Sequence, residues 1–258
     1  MENISIIICC HNSALKLDQT LCCLKKQNIC DSVQWEVIIV DNASTDSTDK
    51  IAIDLWCDSS VPLRVVSEPK LGLNNARVKG VTEAKYDIVC FVDDDNWVSS
   101  HWVQLVSEIM TTNPKIGACG GYIEAVSDQK LPKWFPSFQE YYAVGSQAQT
   151  TGDVTWSRGV LWGAGLAVRK SAWHSLFDSG FCFLSQDRQG NSLSSCGDSE
   201  LCLALRCTGW KLWYDSRLTM KHFMPAQRLE WQYLRRLFRG LGSSGVIANT
   251  PYFLEFRS

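Results

Sequence analysis

The sequence predicts an α/β fold built on a mostly parallel sheet flanked by helices, and two observations predict it. Over residues 1–122, short apolar runs rich in Ile and Val alternate with segments of helical periodicity, the pattern of strand–helix–strand units. The runs at 37–40 and 88–92 also end abruptly in carboxylates, Asp41 after the first and Asp93, Asp94 and Asp95 after the second. The carboxyl ends of strands are where open α/β sheets bind their ligands.

Ile4–Cys9 reads as a buried strand, too short and too apolar for a surface helix. Leu15, Leu21 and Leu24 then fit a helix opening on an Asn12-Ser13 cap. Trp35–Val40 is a second strand, followed by a helix that opens at Ser44–Ser47 with Asp46 as the capping residue. Leu63–Ser67 is a third strand, Gly72–Glu83 a helix and Ile88–Val92 a fourth strand. A helix over 101–112 stops before Asn113-Pro114, because the residue ahead of a proline disfavours the helical region. Ile116–Tyr122 resumes strand. The alternation then breaks. Residues 127–160, rich in Pro, Gln, Ser, Thr and Gly, read as loop and short strand. Trp162–Arg169 is a strand, Lys170–Leu176 a short helix and 178–197 a polar Gly/Ser-rich loop. Asp198–Cys207 is a helix, Trp210–Tyr214 and Leu218–His222 are strands, and Leu229–Leu241 is a basic amphipathic helix. No linker composition interrupts the 258 residues, so one domain is expected: 1–122 reading as a nucleotide-binding α/β half, 123–227 as a second half and 228–258 as a helix and tail.

Hydrophobic content of 45% and a net charge of −2 describe an ordinary globular protein and exclude a charge-driven nucleic-acid partner. Twelve cysteines raise the question of disulfides. No Cys-x-x-Cys pair occurs, and most cysteines fall in expected strands and helices, so they read as reduced core thiols in a cytoplasmic protein. The N-terminus lacks the basic segment of a signal peptide, no apolar stretch is long enough to cross a bilayer, and the abrupt end at Ser258 reads as a truncation. Eleven tryptophans, Trp134, Trp156 and Trp162 among them, would serve either a core or a sugar-binding surface.

Asp93, Asp94 and Asp95 carry the chemical argument. Adjacent like charges repel, and an oxygen-rich cluster suits a hard cation such as Mg2+ or Mn2+, which could neutralise a diphosphate. The competing reading is a solvated acidic turn. On an extended strand, side chains two apart share a face, which pairs Asp93 with Asp95 and leaves Asp94 secondary.

Five segments in order then resemble the family 2 nucleotide-sugar glycosyltransferases of GT-A fold: Ile6–Asn12, Val37–Ser47, Gly72–Gly80, Phe91–Trp97 and Gly163–Glu200. The resemblance implies a metal-dependent, inverting transfer of a sugar from a nucleotide-diphosphate donor, UDP- or dTDP-linked, to a hydroxyl on a glycan, lipid-linked or other acceptor. It implies that Asn12, Asp41 and Arg77 lie with Asp93 and Asp94 at the nucleotide, Asp41 accepting the imide N–H of the base. It implies Mn2+ or Mg2+ held by Asp95 and Asp93 with His222. Gly163, Gly165 and Glu200 fall at the donor sugar or acceptor, and Asp198 is the catalytic base that takes the acceptor proton. Gly197 stands where the family often has Glu, a departure. Structural alternatives accompany each: a solvated face for Arg77, a tight turn for Gly163–Gly165, an N-cap for Asp198 and a core role for His222. A nucleotidyltransferase would need a Gly/Lys-rich phosphate loop that Ser5–Ser13 lacks, and a non-catalytic binding module would lack the carboxylates that are present. Gly240–Gly245 spells G-x-G-x-x-G but follows a helix, so it carries no dinucleotide reading. Trp231–Arg239 is basic and amphipathic. It reads either as a helix packed on the domain through Trp231, Leu234 and Leu237, or as a peripheral contact with the inner face of a membrane.

Overall fold

The computed structural model describes residues 1–185, 187, 193 and 196–248, with side chains to residue 242. Four strands, β1 (Ile4–Cys10), β2 (Trp35–Asp41), β3 (Leu63–Ser67) and β4 (Ile88–Phe91), run parallel in the order β3-β2-β1-β4. Their register sets Cys10 beside Asp41 and Asp41 beside Ser67, so the carboxyl ends align along one edge. Helices α1 (Leu17–Lys25), α2 (Thr48–Trp56) and α3 (Leu73–Glu83) make the crossovers.

Alternation along β1 divides the core between two faces. Ile6 and Ile8 pack with Leu17, Leu21 and Leu24 of α1 and with Trp102 and Val106 of α4 (Trp102–Thr112). Ile7 points the other way, with Ala76 and Val81 of α3 and with residues of α5 (Lys170–Asp178) and α6 (Gly197–Cys207).

Beyond β4 the sheet turns mixed. It continues β8-β6-β9-β5, where β5 is Asn96–Val98, β6 Ile116–Val126, β8 Leu166–Arg169 and β9 Lys211–Phe223, while β7 (Gly152–Asp153) pairs with β9. β8 runs antiparallel to both β4 and β6, and β6 and β9 run parallel.

Several expectations change here. Asn12 and Ser13 cap nothing: α1 begins at Leu17, and the Ser13 hydroxyl donates to Asp94 instead. The strand expected from Trp162 begins only at Leu166, because Gly165 turns the chain at φ +68. A Cβ on Gly165 would lie 2.7 Å from the Met220 sulfur. The two strands expected over 210–222 are one, β9, whose register against β6 shifts between Gly120 and Tyr122. β5 has only three residues, too few for any periodicity to announce it. Residues 127–160 hold two 3-10 turns, Phe135–Ser137 and Gln139–Tyr142, besides β7. The last helix, α7 (Trp231–Ala248), packs Leu234 and Leu237 against Phe135, Tyr142 and Val144. Gly240–Gly245 lies within α7, so no phosphate loop forms there. Part of 178–197 and all of 249–258 lie outside the described residues. All twelve cysteines are free thiols, and no described helix is long and apolar enough to cross a membrane.

Two predictions follow from the β6–β9 contact. A Cβ on Gly121 would stand 1.8 Å from the Leu218 carbonyl oxygen, a backbone atom that cannot swing aside. Gly121→Ala should therefore destabilise at or above the upper end of the ~1–3 kcal/mol typical of overpacking, read by urea unfolding. Asp215 is buried, which pushes its carboxyl up, but Arg217 binds it at 3.0 and 2.8 Å and also donates its backbone N–H. The net effect holds Asp215 below the usual carboxylate range. That stabilisation is complete above about pH 4 and is lost as pH falls through the depressed folded value. Asp215→Asn should flatten the acid limb of a Tm-against-pH curve there, and an unchanged limb would count against the pair.

Candidate active site

The aligned strand ends deliver the chemistry to one cleft. β4 stops at Phe91, and Asp93, Asp94, Asp95 and Asn96 form a turn closed by Asn96 N–H to the Asp93 carbonyl at 3.0 Å. The shared-face argument for Asp93 and Asp95 therefore does not apply, since the pair is not on extended strand. The turn separates the three carboxylates by direction. Asp94 faces α1, accepting from the Ser13 hydroxyl and from Lys16 at 3.3 Å. Burial, then the charge of Asp95, pushes the Asp94 carboxyl up. Asp95 faces the chain's far end, 3.0 Å from the Arg228 guanidinium and 3.5 Å from His222 Nε2. All three border a cavity of about 190 Å³ that Cys9, His11, Asn42 and Arg228 also line.

Asn42 closes that cavity's wall. Its amide donates to the carbonyls of Glu68 and Lys70 and its oxygen accepts the Gly72 N–H at 2.8 Å, tying the ends of β2 and β3 to the start of α3. Asp41, one residue earlier, accepts the Ser44 N–H at 3.2 Å. Asn12 sits at φ +54 and receives the Thr45 N–H, so it pins one strand-end loop to the next. Asp46 accepts the N–H of Thr48, the first residue of α2.

A second cavity, about 230 Å³, adjoins the first and shares Asp93 with it. Arg77, Trp162, Gly163, Asp198, His222 and Tyr142 line it. Asp198 lies in the first turn of α6 without capping it, and its Oδ2 accepts the Gly163 N–H at 2.8 Å. Arg77 is buried beside it, 3.5 Å from Asp187 and over the Phe91 ring. Burial opposes the guanidinium charge, yet Asp187, Asp198 and Asp93 together raise the Arg77 pKa above its ordinary value. Arg77 is thus a fixed cation within the cleft, not a solvated helix residue.

The glycines report the crowding around it. A Cβ on Gly163 would stand 2.5 Å from Arg77 and 3.2 Å from Asp198, so Gly163 is small to admit those two side chains. A side chain at Gly197 would meet Asn74 at 2.5 Å and Asp187 at 2.8 Å. The Asp187 carboxylate occupies part of the space a side chain at 197 would take. Glu200 is fully buried and turned to the 184–185 loop, accepting the N–H groups of Leu184 and Ser185 at 2.7 and 3.0 Å. It holds that loop and does not line the cleft, contrary to the sequence expectation.

Asp93, Asp95 and His222 have the oxygen and nitrogen donors that suit Mn2+ or Mg2+, and the buried His222 Nδ1 has no hydrogen-bond partner. The donor chemistry fits a divalent cation. Their arrangement is not yet a coordination shell, since no three His, Cys, Asp or Glu side chains among the described residues converge as one. Arg228 supplies the positive charge at Asp95.

The profile of glycosyl transferase family 2 matches residues 5–177. The chain belongs to that family. It is 28% identical over 146 residues to the cholesterol galactosyltransferase of Borreliella burgdorferi, covering 56% of this chain and 40% of that one. It is 30% identical over 128 residues to the uncharacterized glycosyltransferase EpsJ of Bacillus subtilis, covering 49% and 36%. It therefore spans well under half the length of these relatives. Among solved structures, S. aureus TarS in complex with UDP-GlcNAc superposes with TM-score 0.62 at 17% identity, covering 87% of this chain and 58% of that one. GalNAc-T7 with UDP, GalNAc and Mn2+ superposes with TM-score 0.63 at 16% identity, covering 87% and 44%. The family 2 chain has the GT-A fold of these neighbours.

Sequence reasoning missed Arg228, Asn42 and Asp187. The only signal for Arg228 is a basic residue following His222 and Pro225, which many surface turns share. Removing one partner of a buried ion pair costs about 3–5 kcal/mol, because the other charge is stranded. Arg228 keeps 21% of its side chain exposed, so Arg228→Ala should cost less, about 2–3 kcal/mol, in chemical unfolding. Adding Asp95→Asn should return part of that loss, and a strictly additive double mutant would show that the two do not interact.

Proposed function

We propose that this chain transfers a sugar from a nucleotide-diphosphate donor to an acceptor hydroxyl with inversion at the anomeric carbon. The observation that carries the reading is the shared wall of the two cavities: Asp93 borders both, with Asp198 and Arg77 on the inner one and Asn42 and Arg228 on the outer one. A donor lying along that wall would put its nucleotide in the outer cavity and its sugar in the inner one. The names of the solved neighbours, which carry UDP or UDP-GlcNAc, support a uridine donor, and Asp41 is the candidate to accept the imide N–H of uracil or thymine.

In this mechanism Asp198 accepts the proton of the attacking hydroxyl, held in place by the Gly163 N–H so that one carboxylate oxygen is oriented before substrate arrives. The nucleophile's oxygen bonds to the anomeric carbon as the bond to the diphosphate oxygen breaks, on the opposite face. Arg77 and Arg228 offer guanidinium N–H groups to the negative charge that collects on the departing diphosphate. Asp93, Asp95 and His222 would hold Mn2+ or Mg2+ once Arg228 leaves Asp95, and the cation would supply Lewis-acid stabilisation of that leaving group. Trp162, in the inner cavity with Arg158 over its ring, is the aromatic candidate to pack against a sugar ring.

Release of UDP or dTDP from a panel of nucleotide sugars, with Mn2+ present or chelated, tests the activity. Asp198→Asn should leave nucleotide affinity within about twofold of wild type and lower kcat by about 10²–10⁴-fold, the usual contribution of a general base. Transfer by that variant near the wild-type rate would remove Asp198 from the role.

A further inference from the structure

Among the described residues of α7, the apolar side chains divide between buried and exposed. Leu234 and Leu237 point inward at 2% and 4% exposure, while Trp231 and Phe238 stand 54% and 38% exposed, and Tyr141 beside them 41%. The sequence expected Trp231 to pack on the domain with the two leucines; its ring does meet Trp134 at 5.8 Å edge-on, but about half of it stays exposed. These rings are continuous: Trp231 meets Phe138 at 6.2 Å, Phe138 meets Phe238 at 5.8 Å, and Phe238 meets Tyr141 at 4.6 Å between centroids. On the helix, Trp231, Arg235, Phe238 and Arg239 follow at i, i+4, i+7 and i+8, one stripe of alternating ring and guanidinium.

The charge of the stripe runs against that of the chain. The whole protein carries −2, yet Trp231–Gly242 holds Arg235, Arg236 and Arg239 and no acidic residue. All three arginines are exposed, and none has an ion-pair partner among the described residues. Around the stripe, exposed Lys130 and Lys133 are offset by exposed Asp128, Glu140 and Glu230, so its positive charge is that of the three arginines alone. Large rings at headgroup depth with interleaved arginines are what an interfacial helix presents to an anionic bilayer. The far side of the same helix contributes Leu237 and Leu241 to the inner cavity that holds Asp198, and Tyr141 belongs to both the stripe and the cavity.

We infer that the Trp231–Arg239 face docks on an anionic phospholipid surface, and that the acceptor hydroxyl reaches Asp198 on a lipid-borne molecule whose tail stays in the bilayer. The second clause rests on the glycosyl-transfer reading; the first does not. The chain, without donor, is therefore mixed with vesicles of phosphatidylcholine alone or with about a third phosphatidylglycerol, and binding is read by co-sedimentation. Binding is expected on the anionic vesicles only, weakening as salt shortens the screening length. Each arginine near an anionic surface contributes about a fivefold change in affinity, so Arg235→Gln with Arg239→Gln should weaken binding about 25-fold. Trp231→Ser with Phe238→Ser should weaken it at least tenfold, and unchanged Tm in both variants excludes misfolding. No binding to anionic vesicles, or equal binding by the variants, overturns the inference. So does a dimer in sedimentation velocity that the Trp231/Phe238 variant abolishes, because a second copy would then cover the stripe. Vesicle binding without any donor turnover would leave the surface standing and sink the transfer reading instead.

Discussion

The constraint on which the cleft depends is electrostatic. A parallel sheet gathers the residues that follow its strands at one edge, and here those residues are largely aspartates. Asp93, Asp94 and Asp95 lie together, with Asp187 and Asp198 brought in from the other side. Such a collection of carboxylates in a partly dry cleft is unfavourable unless cations are built in among them. Two arginines meet that need. Arg77, from α3, stands among Asp93, Asp187 and Asp198, and Arg228, from beyond β9, takes Asp95. Lys16 does the same for Asp94 at the rim.

That arrangement accounts for features that look unrelated along the chain. Gly163 and Gly197 are small because the Arg77 network occupies their side-chain space. Glu200 is turned away from the cleft and clamps the 184–185 loop, which leads to Asp187. The chain reaches Arg228 only because β9 runs the length of β6 and carries His222 to the level of Asn96. Gly121 permits that run by letting β6 touch the Leu218 carbonyl. The negative edge that would receive a cation or a diphosphate's counter-ions is therefore already balanced by guanidiniums, and a donor's phosphates would compete for those same groups.

Much of this was legible in the sequence, and unevenly. The first four strands and their crossover helices show clearly because apolar periodicity and burial coincide there. The mixed half shows less well. β8 is shorter than its apolar run, β5 is too short for any pattern, and β9 spans a bulge that reads as a gap between two strands. In the site, the carboxylates could be named from position and resemblance, but not their directions: strand alternation suggested that Asp93 and Asp95 share a face, and the turn at Asp93–Asn96 replaced that logic. Ser13 read as a helix cap and proved to be a partner of Asp94, because the same hydroxyl serves either purpose.

The sequence by itself determined the fold class, the edge of the sheet at which Asp41 and Asp93–Asp95 gather, and those aspartates themselves. These follow from local patterns, a run of apolar residues and what terminates it. The tertiary structure alone decided which cation neutralises which carboxylate, that Asp187 stands beside Gly197, that Glu200 leaves the cleft, and that Trp231 stays about half exposed while Leu234 and Leu237 are buried. Each of those depends on contacts between segments far apart in the chain, Arg77 with Asp187 and Asp95 with Arg228. No local period encodes such a pairing, because the energy that selects it arises only once the sheet has brought the charges together.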